Sequence, residues 1–80
     1  MYIQTQDGKA IMPCKAIGNN YDEGKGVHII TVFYPENRQS YKVAHYRNEK
    51  QFKSVFRELQ ENLVNGERKI YYMPQDAGCI

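Results

Sequence analysis

The side chains able to do chemistry in this 80-residue chain are few and scattered. His28 and His45 are its two histidines, and two imidazoles brought side by side would make an acid–base pair or half of a zinc site. No carboxylate is placed as a further ligand. Cys14 approaches the pair only if the first hairpin packs beside them, so no metal and no cofactor are expected. Hydrogen bonding of the imidazoles to backbone or to a neighbouring tyrosine is the expected role. Ser40 and Ser54 lack a base and an orienting group, and Cys14, next to Pro13, lacks a helix N-terminus to lower its pKa. Gly24-Lys25-Gly26 lacks a third glycine and precedes a strand rather than a helix, which argues against a phosphate cradle. An enzyme is therefore not expected. The seven tyrosines are the exception to this sparseness. Tyrosine suits a surface that is both apolar and wet, and with Arg38, Lys42, Arg47, Lys50 and Lys53 such rings could stack on and neutralise a small phosphorylated ligand.

Composition bounds these readings. Eighty residues give one domain, spanning 1–80, with one core and little room for a deep cleft. Eleven Lys and Arg against nine Asp and Glu leave a net charge of +2, too weak a field to recruit nucleic acid. The longest apolar stretch, Val27 to Tyr34, falls well short of the roughly 20 residues that cross a bilayer. Met1-Tyr2-Ile3-Gln4 lacks the charged and apolar regions of a signal peptide, so a cytoplasmic location is expected. Cys14 and Cys79, without C-x-x-C spacing, read as free thiols.

The elements that must position these residues follow from pattern. Asp7-Gly8 between two short stretches predicts a hairpin over residues 1–17, with Pro13 at an edge or bulge. The polar, glycine-rich run from Gly18 to Gly26 predicts a mobile loop. Val27 to Tyr34 is rich in β-branched and aromatic residues and predicts a strand. Pro35 to Arg38 turns the chain into a second strand over Gln39 to Tyr46. If Tyr34 faces Gln39, the same register sets Val32 against Tyr41, Ile30 against Val43 and His28 against His45. Both faces of that hairpin are then largely apolar.

Asn48 predicts an N-cap, with Gln51 reaching back as in a capping box. Phe52, Val55, Phe56, Leu59, Leu63 and Val64 form one stripe on a helix of about 17 residues that ends at Gly66. Lys69 to Met73 reads as a last strand, and 75–80 as a flexible tail. The fold class expected is α+β, in ββ-ββ-α-β order: one antiparallel sheet of about five strands packed on one amphipathic helix.

The opening Met1-Tyr2-Ile3-Gln4-Thr5-Gln6-Asp7 and the close Tyr71-Tyr72-Met73-Pro74-Gln75-Asp76 resemble the end motifs of a group of short uncharacterised proteins of Gram-positive bacteria and of their phages and mobile elements. Those typically open with an aromatic and then Ile-x-Ser/Thr-Gln-Asp, and close near Tyr-x-Met-Pro. The resemblance implies an accessory gene and carries no catalytic or binding residue over; the Gly18 to Gly26 run departs from the group's pattern.

The expectation is thus a non-catalytic, self-associating binding module that inhibits a host protein or sequesters a small charged, nucleotide-like ligand. A nucleic-acid-binding regulator and a structural assembly factor are the alternatives. The expected ligand surface is Tyr34, Arg38, Tyr41, His45 and Arg47. The expected oligomer contact is Ile30, Val32, Tyr34, Tyr41 and Val43, which would form an apolar patch too large for a soluble monomer if exposed together.

Overall fold

The computed structural model describes residues 1–65 and 70–77. The class is α+β: six strands and one helix run in the order β1 (Tyr2–Gln4), β2 (Ile11–Pro13), β3 (Ala16–Asp22), β4 (Val27–Tyr34), β5 (Gln39–Tyr46), α1 (Glu49–Asn65) and β6 (Ile70–Tyr72). They make two three-stranded sheets, ordered β2-β1-β6 and β3-β4-β5, instead of one sheet of about five strands. The first is mixed, since β1 pairs antiparallel with β2 and parallel with β6. The division has a physical cause. Gln6, in the turn that follows β1, takes up the edge of β5 from Val43 to His45, and the strand returning from the helix adds to β1.

The first hairpin closes as its Asp-Gly signal predicts. Thr5 N–H donates to the Ala10 carbonyl at 2.9 Å and Gly8 takes a φ of +74°, a conformation that favours glycine. The run expected to be a loop behaves otherwise. Residues 16–22 form β3, paired along its whole length with β4 from Ala16↔Phe33 to Asp22↔Val27. Only the turn at 23–26 remains, fixed by Gly26 N–H to the Asp22 carbonyl at 2.7 Å, Lys25 N–H to Asp22 Oδ1 at 3.2 Å and a φ of +65° at Gly26. A long, apolar neighbour overrides the poor strand propensity of Gly18-Asn19-Asn20.

The β4–β5 pairing keeps the expected register from Tyr34↔Gln39 to Thr31↔Lys42 and then shifts. Val43 is an extra residue, a bulge, after which Ile30 faces Ala44, Ile29 faces His45 and His28 faces Tyr46. Without it, His45 would point into the core and Tyr46 away. The bulge turns the phenol ring inward, where it is completely buried, and places the imidazole on the other face.

The core joins both sheets and the helix: Ile3, Ile30, Val32, Val43, Ala44, Tyr46, Phe52, Val55, Leu59 and Met73, with Cys14 beside them. Asn48 caps α1, its Oδ1 accepting from Gln51 N–H at 3.0 Å. The Gln51 side chain does not complete a capping box; its contacts are with the C-terminal segment. Phe52, Val55 and Leu59 are buried and Phe56 and Leu63 pack against them, but Val64, at 84% exposure, leaves the stripe. The Glu49–Lys53 pair forms at 3.3 Å. Gly66 and Lys69 lie outside the described residues, as does Cys79. Among the described residues no helix is long and apolar enough to cross a membrane.

Candidate functional site

The five residues expected to form a ligand surface do not converge. Tyr34 and Tyr41 meet edge to face with ring centroids 5.7 Å apart, and their hydroxyls donate to the Pro13 carbonyl and Gln39 Oε1, each at 2.5 Å. Burial pushes the Tyr34 hydroxyl's pKa up from its ordinary value, with Cys14, Tyr41 and Glu36 adding to it. Arg38 stands in the adjoining turn with a φ of +55°, in the left-handed region. Arg47 lies six residues beyond Tyr41, roughly 20 Å along an extended chain, and its Nε pairs with Asp76 Oδ2 at 3.0 Å. His45 faces Ile29 whereas Tyr41 faces Val32, three residues on, so the two side chains stand on opposite faces of the sheet. The expected surface is divided between two ends and two faces of one hairpin.

The same bulge separates the histidines. His28 is stacked on Phe52 at 4.7 Å and touches Tyr21 at 4.7 Å, so its ring is an aromatic packing element on the core side, away from His45. Among the described residues no three His, Cys, Asp or Glu side chains gather as metal ligands. Cys14 is buried and unbridged, and burial raises its thiol pKa, which opposes a nucleophilic role. The expected oligomer contact is corrected as well. Ile30, Val32 and Val43 are buried inside the monomer by the helix and the first sheet, which leaves only Tyr34 and Tyr41 of that set at the surface.

What the sequence reading missed is how polar side chains of the two chain ends hold the molecule together. Gln6 uses every polar atom it has. Its backbone N–H donates to the Val43 carbonyl at 2.8 Å. Its side-chain amide brackets His45, accepting from the N–H at 3.1 Å and donating to the carbonyl at 2.9 Å, as a neighbouring strand would. The same Nε2 lies 3.2 Å from the Pro74 carbonyl, and the Gln6 carbonyl accepts from Gln75 Nε2 at 2.6 Å. Tyr46 Oη also donates to the Pro74 carbonyl, at 2.6 Å, and burial pushes its pKa up to about 12. Gln51 repeats the device, donating to the Gln75 carbonyl at 2.8 Å and accepting from Ala77 N–H at 2.9 Å. Of the expected tail, residues 75–77 are thus tied to Gln6, Arg47 and Gln51, and 78–80 lie outside the described residues. The opening and closing motifs are in contact, and the visible role of Gln6, Pro74 and Gln75 is structural.

Two surfaces of the described residues lie near the chain ends. One is a shallow cleft of about 270 Å³ lined by Thr5, Gln6, Asp7, Lys42 and residues 43–45. Its carboxylate is already used: Asp7 accepts from the Thr5 hydroxyl at 2.6 Å and Lys9 N–H at 2.9 Å, which lowers its pKa, the Thr5 bond contributing most. The other is the outer face of the β2-β1-β6 sheet. Ile3, Met12 and Tyr71 share one register row and point to the core. The flanking rows, Pro13–Tyr2–Ile70 and Ile11–Gln4–Tyr72, therefore point out. Five of those six side chains are apolar or aromatic and none is charged, with Tyr72 62% and Ile11 53% exposed.

Against protein-family models, curated proteins and solved structures, the chain gives no match.

Proposed function

We propose that this chain is a non-catalytic protein-binding module of the cytoplasm whose docking face is the outer surface of the β2-β1-β6 sheet. The observation that carries this reading is the uncharged cluster of Tyr2, Ile11, Pro13, Ile70 and Tyr72 around Gln4. Three strands and two outward rows make a patch of a few hundred Å², about the largest a soluble monomer leaves uncovered. Aromatic enrichment with depletion of charge is also the composition of interface cores. A protein is favoured over a small anion because Arg47 is committed to Asp76 and Arg38 stands at the far turn. The end motifs, through their resemblance to phage and mobile-element proteins, favour a host protein as the target and its inhibition as the outcome.

The test is recovery of a bound protein from the source cell with Tyr2→Glu and Tyr72→Glu, using Tyr41→Ala as the control away from the face. Both substitutions are at exposed positions, and the fold should persist, as circular dichroism would show. Wild type and Tyr41→Ala are expected to retain a common partner that both Glu variants lose. Equal recovery by all four chains would overturn the assignment.

A further inference from the structure

We infer that β3 is a self-complementary edge through which two copies of this chain pair antiparallel, extending the β3-β4-β5 sheet into one of six strands across a two-fold axis at Asn19. The inference concerns a different surface from the proposed docking face and does not depend on it.

Tyr21 N–H is turned away from β4 and is held by the side-chain Oδ1 of Asn20 at 2.9 Å. Main-chain groups alternate sides along a strand, so those of Ile17, Asn19 and Tyr21 point outward together. No described strand pairs with that side of β3. The other exposed edges of the two sheets are shorter or interrupted: β2 and β6 are three residues each, and β5 is broken by the bulge at Val43 and covered by Gln6 from there to His45. β3 runs for seven residues with no proline and no lysine inside it, without the devices that protect a sheet edge from another chain.

A two-fold axis at Asn19 sets Ile17 against Tyr21 of the second copy and Asn19 against its own equivalent. Just beyond the strand ends, Lys15 falls beside Glu23 of the second copy, and the symmetry makes the Ile17–Tyr21 and Lys15–Glu23 pairs twice. Ile17, Asn19 and Tyr21 are the outward-pointing positions of the strand, so they meet as hydrogen-bonded pairs, about six main-chain bonds in all once Tyr21 N–H leaves Asn20. Ile17 and Tyr21 lie on the core side of the sheet and extend its apolar surface. Sliding the pairing by one step either sets Lys15 against Lys25 and Ile17 against Glu23, or sets Ile17 against Asn19. Only the register centred on Asn19 matches charge with charge and apolar with apolar. Lys15 now pairs with Glu36 at 2.8 Å, but both side chains are more than half exposed and the pair is exchangeable.

An interface this short belongs to the small, reversible class, so the dimer should form within about 10–500 µM. Sedimentation velocity across that range is expected to show a species moving from 9.4 kDa to twice that mass. Asn19→Lys sets like charges face to face at the axis and should raise the dissociation constant at least tenfold. As Asn19 is exposed, the melting temperature should stay within a few degrees. Lys15→Glu should weaken dimerisation about 3- to 10-fold, and adding Glu23→Lys should restore it. In a Cys79→Ser background, Asn19→Cys treated with oxidised glutathione, which is reduced to two thiols, should form a disulfide-linked dimer, since hydrogen-bonded pairs place the two Cα atoms about 5.5 Å apart. Tyr21→Cys, about four residues from its own equivalent, should not. A monomer at every concentration, a dimer indifferent to Asn19→Lys, or an Asn19→Cys chain that does not cross-link would each overturn the pairing. Tyr2→Glu and Tyr72→Glu should leave the dimer unchanged, so failure of the docking face and failure of the β3 edge are read separately.

Discussion

The two edges of the β3-β4-β5 sheet meet the same problem with opposite means. A row of main-chain donors and acceptors at a sheet edge must be hydrated, covered or paired. At β5 the row is covered from within the chain over residues 43–45. The Gln6 amide presents a carbonyl and an NH2 to His45 as a strand would, and its main-chain N–H takes the Val43 carbonyl at the bulge. At β3 one outward amide is covered by its own neighbour, Asn20, and the edge away from β4 is otherwise left without a described partner. The contrast shows that covering an edge needs no further strand. One glutamine on a well-anchored turn covers the stretch from Val43 to His45, with the rest of its polar atoms also satisfied.

Removing that glutamine should give the largest effect. Gln6→Ala loses bonds to His45 N–H, the His45 carbonyl and the Pro74 carbonyl, in a partly buried setting where those groups are not freely rehydrated. At about 1 kcal/mol for each bond, and somewhat more where a group is left unsatisfied, the expected loss is about 2–4 kcal/mol of unfolding free energy. Urea denaturation measures it. A change below about 0.5 kcal/mol would mean that water replaces the amide without loss, and the edges would then not differ in the way described.

Tyr46→Phe should have the next largest effect, with a pH signature. It removes only the hydroxyl donated to the Pro74 carbonyl, worth about 1 kcal/mol at neutral pH. In the folded chain burial raises the Tyr46 pKa to about 12, against about 10 unfolded. Below pH 10 both states hold the proton and the hydroxyl's contribution is complete. Above it the unfolded chain releases the proton while the folded chain keeps it, so the contribution declines as pH rises from about 10 to 12. Tyr71, whose pKa is raised by burial and by its hydrogen bond to Glu58, acts in the same direction in both proteins. At about 1.4 kcal/mol per unit of pKa shift, the stability gap between wild type and Tyr46→Phe should therefore narrow above pH 10 and reverse towards pH 12, as paired denaturation curves at pH 7 and above pH 10 would show. A constant gap would mean that the hydroxyl is not held by burial.

Local signals in the sequence located the Asp7-Gly8 turn, β4, the Asn48 cap and the apolar helix face, because each rests on residues within one or two turns of chain. The class followed from those. The bulge at Val43 was not legible, since alternation runs cleanly through Gln39 to Tyr46 and only the greater benefit of burying Tyr46 over His45 breaks it. That one residue parts the histidines and takes His45 to the face opposite Tyr41. β3 was hidden by Gly18-Asn19-Asn20, whose propensity gives no hint of an apolar neighbour to pair with. The roles of Gln6, Gln51 and Gln75 depend on a second segment as many as 69 residues away, and glutamine has no local signature for such contacts.

The smallest expected effect belongs to the open edge. Asn20→Ala removes the acceptor that holds Tyr21 N–H, a bond at the surface of an exposed strand. Water reaches that amide at once, so the unfolding free energy should change by no more than about 0.5 kcal/mol, several times less than for Gln6→Ala. Hydrogen exchange in dilute, monomeric protein sharpens the contrast residue by residue. The His45 amide, bracketed by Gln6, should exchange slowly in wild type and quickly in Gln6→Ala. The outward amides of Ile17 and Asn19 should exchange quickly in both, and that of Tyr21 should join them in Asn20→Ala. Slow exchange at Ile17 and Asn19 in the monomer would mean that β3 is already covered, and its readiness to pair with a second copy would lose its physical basis.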